Sequence, residues 1–353
     1  MIFLKKQDWF LVFSVILLVT LGLLVLNSIA DYLFPEYYLF ILLGFVFFFI
    51  FSRLDFEVIT AFSWYFYFFS ILLLVLTLLL GRVTRGAVRW IPLGNLTIQP
   101  AEIVRPFLII FLAGFLTSGK LNARRLFEAL VLFSLPAFLI LIQPSLGVFI
   151  LTLVSFLGVI LALPINRKKL FLTLIILALL VPFSYHFLAP YQKQRIGTFL
   201  NPVADPLGAG YNSIQSVIAV GSGGLWGKGL GKGIQTQLAF LPERHSDFIF
   251  AAVSEEMGFV GGFLILAAYL VIFLRLIRLI SKVKNPATAA FLTGLFLTLL
   301  AQVFINIGMN LGILPITGVP LPLVSSGGSS FLSMMISLGI VNNISSLAEL
   351  NRI

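Results

Sequence analysis

Phe240-Leu-Pro-Glu-Arg-His-Ser-Asp-Phe-Ile-Phe250 runs directly into Ala251-Ala-Val-Ser-Glu-Glu256, and from Met257 to Leu274 no charged residue follows. An apolar run of this length is enough to cross the hydrocarbon core of a bilayer. Its head gathers Glu243, Arg244, His245 and Asp247 at the mouth of the helix, and Glu255 and Glu256 lie within it. On insertion scales a carboxylate near the centre of a membrane helix costs about 2.5–3.5 kcal/mol. Charges kept at such a cost mark this stretch as the main candidate for chemistry.

Working outward, the rest of the chain repeats the apolar pattern. The 353 residues are 60% hydrophobic and only 10% charged, with a mean hydropathy of +1.10, against roughly a quarter charged in soluble domains. The apolar runs lack strict period-2 alternation, which excludes a transmembrane β-barrel. The expected fold is therefore an all-α polytopic membrane protein. Cysteine is absent, so disulfides and thiolate metal sites are excluded.

Ten spans are predicted, at Trp9–Leu26, Tyr37–Phe51, Val58–Leu80, Pro100–Thr117, Phe127–Ile142, Leu146–Leu163, Leu170–Phe187, Phe248–Ile272, Thr288–Leu311 and Ser329–Leu347. The first follows Lys5 and Lys6 without a small-residue cleavage site, so it reads as a retained helix. Ten spans put both termini on one side. Of the 23 Lys and Arg residues, fourteen fall on that side, eight on the other, and Arg105 within a span. The positive-inside rule makes the termini cytoplasmic. Topology thus accounts for the net charge of +10, and no nucleic-acid partner is expected. The long external segment 190–247 is rich in glycine (Gly221-Ser-Gly-Gly224, Gly227-Lys-Gly229, Gly231-Lys-Gly233) but also in aliphatic and aromatic residues. It reads as a folded cap on the outer membrane surface, within a single membrane domain spanning residues 1–353.

Four further patches on the outer face could carry chemistry. Glu102 and Arg105 are three residues apart and share a helix face, so they form either a buried structural pair or part of a substrate site; Pro106 removes the N–H that the Glu102 carbonyl would accept. Gln143-Pro-Ser-Leu-Gly147 is a polar turn. Arg195 to Gly210, with Lys228 and Lys232 downstream, places cations among glycines, whose backbone N–H groups can approach an anion. No Walker or Rossmann fingerprint is present. Gly312 to Ser330 is a Pro/Gly/Ser segment with a re-entrant look, a pattern tolerated at membrane depth only where protein or water satisfies the backbone.

Arg89-Trp90-Ile91, Gln99-Pro-Ala-Glu102, Gln143-Pro-Ser-Leu-Gly147, Asn201-Pro-Val-Ala-Asp205-Pro206, Gly221-Ser-Gly-Gly224, Phe240 to Phe250, Glu255-Glu256 and Leu321-Pro-Leu-Val-Ser-Ser-Gly-Gly-Ser-Ser330 follow one another along the chain. In this order they resemble the SEDS family of polytopic cell-wall polymerases, typified by RodA and FtsW, and Pro315 to Pro322 resembles the RodA form. Three positions depart from the family pattern: Ser145 where the family has Asp, Arg105 where it has Lys, and Ser326 where it has Tyr. Arginine keeps the charge of lysine but changes its geometry, and Ser145 removes a carboxylate outright.

The resemblance implies a ten-helix fold and an inverting peptidoglycan glycosyltransferase. Its substrate would be lipid II, polymerised into β-1,4 glycan strands during elongation and rod-shape maintenance. It implies Asp247 as catalytic base, with Arg89, Glu102, Arg105, Arg195, Lys228, Lys232, Arg244 and Ser329 as candidate substrate-binding residues. Glu255 and Glu256 are expected to pair within the protein. No cofactor is required by this reading, although a divalent cation (Mg or Mn) would serve the diphosphate. The implied partners are a class B penicillin-binding protein with transpeptidase activity and other membrane proteins of the elongation complex. Two rival functions fit the same composition: a lipid II flippase, and a non-catalytic scaffold for a transpeptidase. A flippase would want its polar site at the bilayer midplane, whereas these polar groups gather at one face.

Overall fold

The computed structural model describes residues 7–84, 87–94, 96–164, 190–208 and 210–349. In chain order the helices are α1 (Trp9–Ile29), α2 (Phe34–Phe51), α3 (Phe56–Ala61), α4 (Ser63–Leu80), α5 (Pro100–Ile103), α6 (Arg105–Thr117), α7 (Ala123–Ile142) and α8 (Leu146–Leu161). They continue with α9 (Pro190–Leu200), α10 (Tyr211–Ser222), α11 (Ile234–Gln237), α12 (Ile249–Lys282), α13 (Pro286–Asn310) and α14 (Gly328–Glu349). Eight spans among the described residues are long and apolar enough to cross a membrane, and α8 is a shorter apolar helix. Nine of the ten predicted spans thus fall on helices; the seventh, Leu170–Phe187, lies outside the described residues.

Several boundaries differ from the sequence reading for local reasons. The fourth predicted span is broken at Val104 between α5 and α6, where Pro106 cannot donate to the Glu102 carbonyl. The third span begins as the separate short helix α3. α12 extends beyond Ile272 to Lys282, because its last turns carry Arg275, Arg278 and Lys282 and suit the aqueous boundary. The chain is mostly helical, as expected, and a small sheet accompanies the helices. Residues Arg82–Thr84, Ala87–Leu93 and Leu96–Ile98 form a three-stranded antiparallel sheet, β1-β2-β3. Its second pairing matches Ile91 with Ile98 and Leu93 with Leu96. β-branched and aromatic residues favour these strands, and Gly94, at φ 65°, turns the chain between them.

The core is arranged around α14, every residue of which from Gly328 to Ser346 is buried. A helix buried all round belongs at the centre of a bundle; α2 lies along it, and Gly339 faces the Phe48 carbonyl at a distance that leaves no room for a side chain. α8 and α13 cross at Gly158, where an added Cβ would stand 2.8 Å from the Gly294 Cα. Small residues at such crossings let membrane helices pack closely. The lipid-facing sides of α4 and α7 carry exposed large residues such as Phe68, Leu79 and Phe127.

Candidate functional site

α13 is apolar enough to span a membrane, yet it carries Gln302, Asn306 and Asn310 at a spacing of four, which places them on one helix face. All three are fully buried, at 0% exposure. Polar groups in such surroundings need partners, and theirs define the site.

The Asn306 Nδ2 donates to the Asp247 carbonyl at 3.0 Å and to the Val319 carbonyl at 2.8 Å. The Asn310 Nδ2 donates to the same Asp247 carbonyl at 3.0 Å, and its Oδ1 accepts the Ala251 N–H at 3.0 Å. The two preceding carbonyls are held as well. The Ser325 hydroxyl donates to the Ser246 carbonyl at 2.6 Å. Ser326 donates its N–H and its hydroxyl to the His245 carbonyl, at 3.0 and 2.9 Å. Three consecutive carbonyls leading into α12 are thus fixed from α13 and from the Pro/Gly/Ser segment that follows it. That segment is tied down in turn: the Tyr37 hydroxyl donates to the Ser325 carbonyl at 3.0 Å and the Tyr269 hydroxyl to the Pro322 carbonyl.

Asp247 itself is half-buried. Its Oδ2 faces Gly318, 3.6 Å from where a Cβ on that glycine would stand. Asp247 is not the helix cap: the N-cap position of α12 is Phe248, which supplies no side-chain cap. The acceptor that satisfies an orphan N–H of the first turn comes instead from Asn310.

The other end of the polar stripe reaches Arg105. Gln302 Oε1 accepts from Arg105 Nη1 at 3.2 Å, while its Nε2 donates to the Pro320 carbonyl at 3.1 Å and the Ser330 hydroxyl at 3.2 Å. Arg105 Nη2 lies 2.6 Å from Glu102 Oε2, and the two residues are only 3% and 2% exposed. Among the described residues the buried Arg105 Nε has no hydrogen-bond partner, a donor left over for a ligand oxygen or a water. Ser329 accepts the Gln99 N–H at 2.7 Å, and the Gln99 side chain donates to Ser145 Oγ at 3.3 Å. The structure thus holds Glu102 and Arg105 to Gln302, Ser329 to Gln99, and the Asp247 carbonyl to Asn306 and Asn310, with Gln302, Asn306 and Asn310 on one face of α13. Gln302, Asn306, Asn310 and Ser325 were not singled out by sequence reasoning. The i, i+4, i+8 spacing of amides within an apolar span was the available signal.

The remaining candidates stand elsewhere. The Lys228 ammonium is 2.9 Å from Glu255 Oε1. Glu255 also accepts the backbone N–H groups of Gln235 and Thr236 and the Thr236 hydroxyl, each at 3.0 Å. Glu256 accepts from Ser28 at 2.8 Å and Gln237 at 2.9 Å. The paired carboxylates thus fasten the 190–247 segment to α12 and α1. Arg244 Nη2 donates to the Ile29 carbonyl at 3.1 Å, at the C-terminus of α1, where a cation meets the negative end of the helix dipole. Arg89 is half-buried on β2, and Arg195 and Lys232 are exposed.

The glycines around Lys228 have a packing role. α12 breaks at Gly258, with φ 66° and ψ −160°. Loop residues cross the break: the Phe259 N–H donates to the Gly224 carbonyl at 2.8 Å, and the Gly229 N–H to the Glu256 carbonyl at 3.0 Å. A Cβ on Gly258 would lie 2.2 Å from the Gly227 nitrogen, so only glycine fits this crossing.

Among the described residues no group of three or more His, Cys, Asp or Glu could hold a metal ion. Ser145 offers Gln99 a hydroxyl where the family pattern has a carboxylate.

The chain matches the FtsW/RodA/SpoVE family of cell cycle proteins over residues 4–349. It is 42% identical over 283 residues to the peptidoglycan glycosyltransferase MrdB of Escherichia coli (strain K12), covering 79% of this chain and 76% of MrdB. It is 36% identical over 360 residues to the stage V sporulation protein E of Bacillus subtilis (strain 168), covering 96% and 97%. Among solved structures, a chain of a peptidoglycan synthase complex that coordinates polymerization and crosslinking superposes with a TM-score of 0.82 at 35% identity, over 96% of this chain and 98% of that one. The rod shape determining protein RodA of Thermus thermophilus superposes with a TM-score of 0.72 at 31% identity, over 97% of each chain. With its motifs, its bundle and nearly its whole length in agreement, this chain belongs to the FtsW/RodA/SpoVE family of cell cycle proteins, the SEDS proteins.

Proposed function

We propose that this chain is an inverting peptidoglycan glycosyltransferase of the bacterial cytoplasmic membrane that polymerises lipid II, with both termini in the cytoplasm. The observation that carries the reading is the cradle around Asp247: its backbone carbonyl is fixed by two buried asparagines while its carboxylate stays half-buried at the helix mouth. A general base must be held in position yet reach its substrate. The names of the relatives, glycosyltransferases among them, support the same reaction.

In the proposed step the Asp247 carboxylate takes the proton from the 4-hydroxyl of one GlcNAc. That oxygen attacks the anomeric carbon of a MurNAc from the face opposite the leaving group. The bond to the lipid diphosphate breaks, and its electron pair leaves with the diphosphate. Inversion follows from single displacement. Positive charge near the leaving diphosphate lowers the barrier, and guanidinium groups match phosphate oxygens well. Arg89 and Arg195 remain candidates for that role by their accessibility. Arg105 would act from below, through its unused Nε.

A transpeptidase partner of the class B penicillin-binding type fits this reading, since the likeness to a chain of a synthase complex supports assembly with a crosslinking enzyme. Elongation and rod shape are the cellular processes the RodA likeness supports. The test is purified protein with labelled lipid II in detergent, beside a liposome assay for lipid translocation. Glycan ladders without translocation are expected. Translocation without ladders would overturn the glycosyltransferase in favour of a flippase.

A further inference from the structure

An open groove of about 430 Å³ lies between α3, α4, the end of α6 and the start of α13. It is far from Asp247: Ala287 on its wall precedes Asn310 on the same helix by 23 residues, about 34 Å of α-helix. It sits where α4 begins and α6 ends, at the level where two spans leave the apolar layer. That is head-group depth, on the face carrying the chain termini.

The lining has a definite chemistry. Thr60, Thr117 and Ser118 spend their hydroxyl protons on their own helices, donating to the Glu57, Ala113 and Phe115 carbonyls. Their oxygen lone pairs are what remains for a ligand. The Glu57 carboxylate joins them on the wall. No cation among the described residues pairs with Glu57, whereas Asp8 and Glu128 on the same face are held by Arg275 and Arg124. The indole of Trp64 forms the aromatic wall, fixed edge-on against Phe111 with ring centroids 4.9 Å apart. A carboxylate, acceptor oxygens and an indole together suit an ammonium group that donates hydrogen bonds.

An anion site adjoins it. Arg125 donates to the Phe115 carbonyl at 2.9 and 2.6 Å and to Ser118 Oγ at 2.6 Å, which fixes its guanidinium at the rim. Those bonds come from Nε and Nη2 and leave Nη1 for an oxyanion. Beyond the rim the surface turns apolar, with Phe62, Tyr65 and Phe68 exposed by 52%, 71% and 62%, as acyl chains would require.

We propose that this groove binds the head group of an aminophospholipid, its ammonium between Glu57 and Trp64 and its phosphate against Arg125. The phosphatidylethanolamine head group has this donor set. Phosphatidylcholine has the same charges but no ammonium N–H, and phosphatidylglycerol has no cation.

The full chain in nanodiscs of equal phosphatidylethanolamine, phosphatidylcholine and phosphatidylglycerol, transferred to detergent, tests this by mass spectrometry of the retained lipid. Phosphatidylethanolamine is expected to be enriched over both others. Glu57→Gln should lower that enrichment by about tenfold, the worth of one charge-assisted hydrogen bond. Trp64→Leu should lower it by about two- to fivefold, and Asp31→Asn, outside the groove, should leave it unchanged. Equal retention of the three lipids overturns the proposal. So does parental enrichment in a Glu57→Gln protein, or displacement of the lipid by millimolar free phosphoethanolamine, which would assign the site to a soluble amine. Thermal melting in lipid-free detergent shows that each variant is folded; if Glu57→Gln is not, the Trp64→Leu result decides.

Discussion

Asn310 holds both sides of the turn that presents Asp247: its Nδ2 donates to the Asp247 carbonyl and its Oδ1 accepts the Ala251 N–H, each at 3.0 Å. One fully buried amide thereby performs a helix-capping role from a neighbouring helix. Asn310→Leu strands the Ala251 N–H in an apolar interior, at about 1–3 kcal/mol per unsatisfied group. The melting temperature should fall. Asn306→Leu should act similarly, since it also releases the Val319 carbonyl. Thermal unfolding in detergent is the measurement, and unchanged melting in both variants would remove the cradle as a structural device.

Asp247→Asn tests the proposed base. The N-cap of α12 is Phe248, and asparagine keeps the shape and hydrogen-bonding capacity of aspartate, so the variant should melt like the parent. A general base contributes about 10²–10⁴-fold to rate, so glycan formation from lipid II should fall by that order. A folded Asp247→Asn protein polymerising at the parental rate would falsify the assignment.

The Glu102–Arg105 pair separates structure from chemistry. Arg105→Leu leaves a buried carboxylate without its partner, which costs about 3–5 kcal/mol. The double replacement Glu102→Leu with Arg105→Leu removes both charges and should regain much of that stability. If Arg105 serves only the fold, polymerisation returns with stability. If it also meets the lipid-linked substrate, the double variant melts normally and stays slow, the outcome expected here.

Gly258→Ala should unseat the segment that crosses the break in α12. The position combines φ 66° and ψ −160° with a contact that leaves no room for a Cβ, and strain of this kind costs about 1–3 kcal/mol before any clash. Limited proteolysis between residues 224 and 233 should become faster. Lys228→Ala should have a smaller effect than Glu255→Ala, because Lys228 is partly exposed while Glu255 also accepts from Gln235 and Thr236.

The basic-residue count predicts cytoplasmic termini. A reporter fused after Ile353 that is active only outside the cytoplasm would contradict the ten-span topology.

The sequence by itself determined the helical membrane architecture, because an apolar run of about 20 residues is a local property that requires no partner to be read. The N–H missing at Pro106 was equally legible, since it acts on its own helix, although the span it interrupts was read as continuous and breaks at Val104. The sequence also located Asp247 and the Glu102–Arg105 pair, whose residues are three apart. The short sheet at residues 82–98 escaped because the apolar pattern there is brief and ends at a turn. What only the tertiary structure decided is who satisfies whom. Arg105 meets Gln302 across 197 positions, Gln237 and Ser28 meet Glu256 across 19 and 228, and Lys228 meets Glu255 across 27. A low-dielectric interior requires every buried polar group to find a partner, but that requirement does not name the partner. The packing of α13 against α6 and of the 190–247 segment against α12 names it, and so gives Lys228, a candidate phosphate ligand by sequence, Glu255 as its partner.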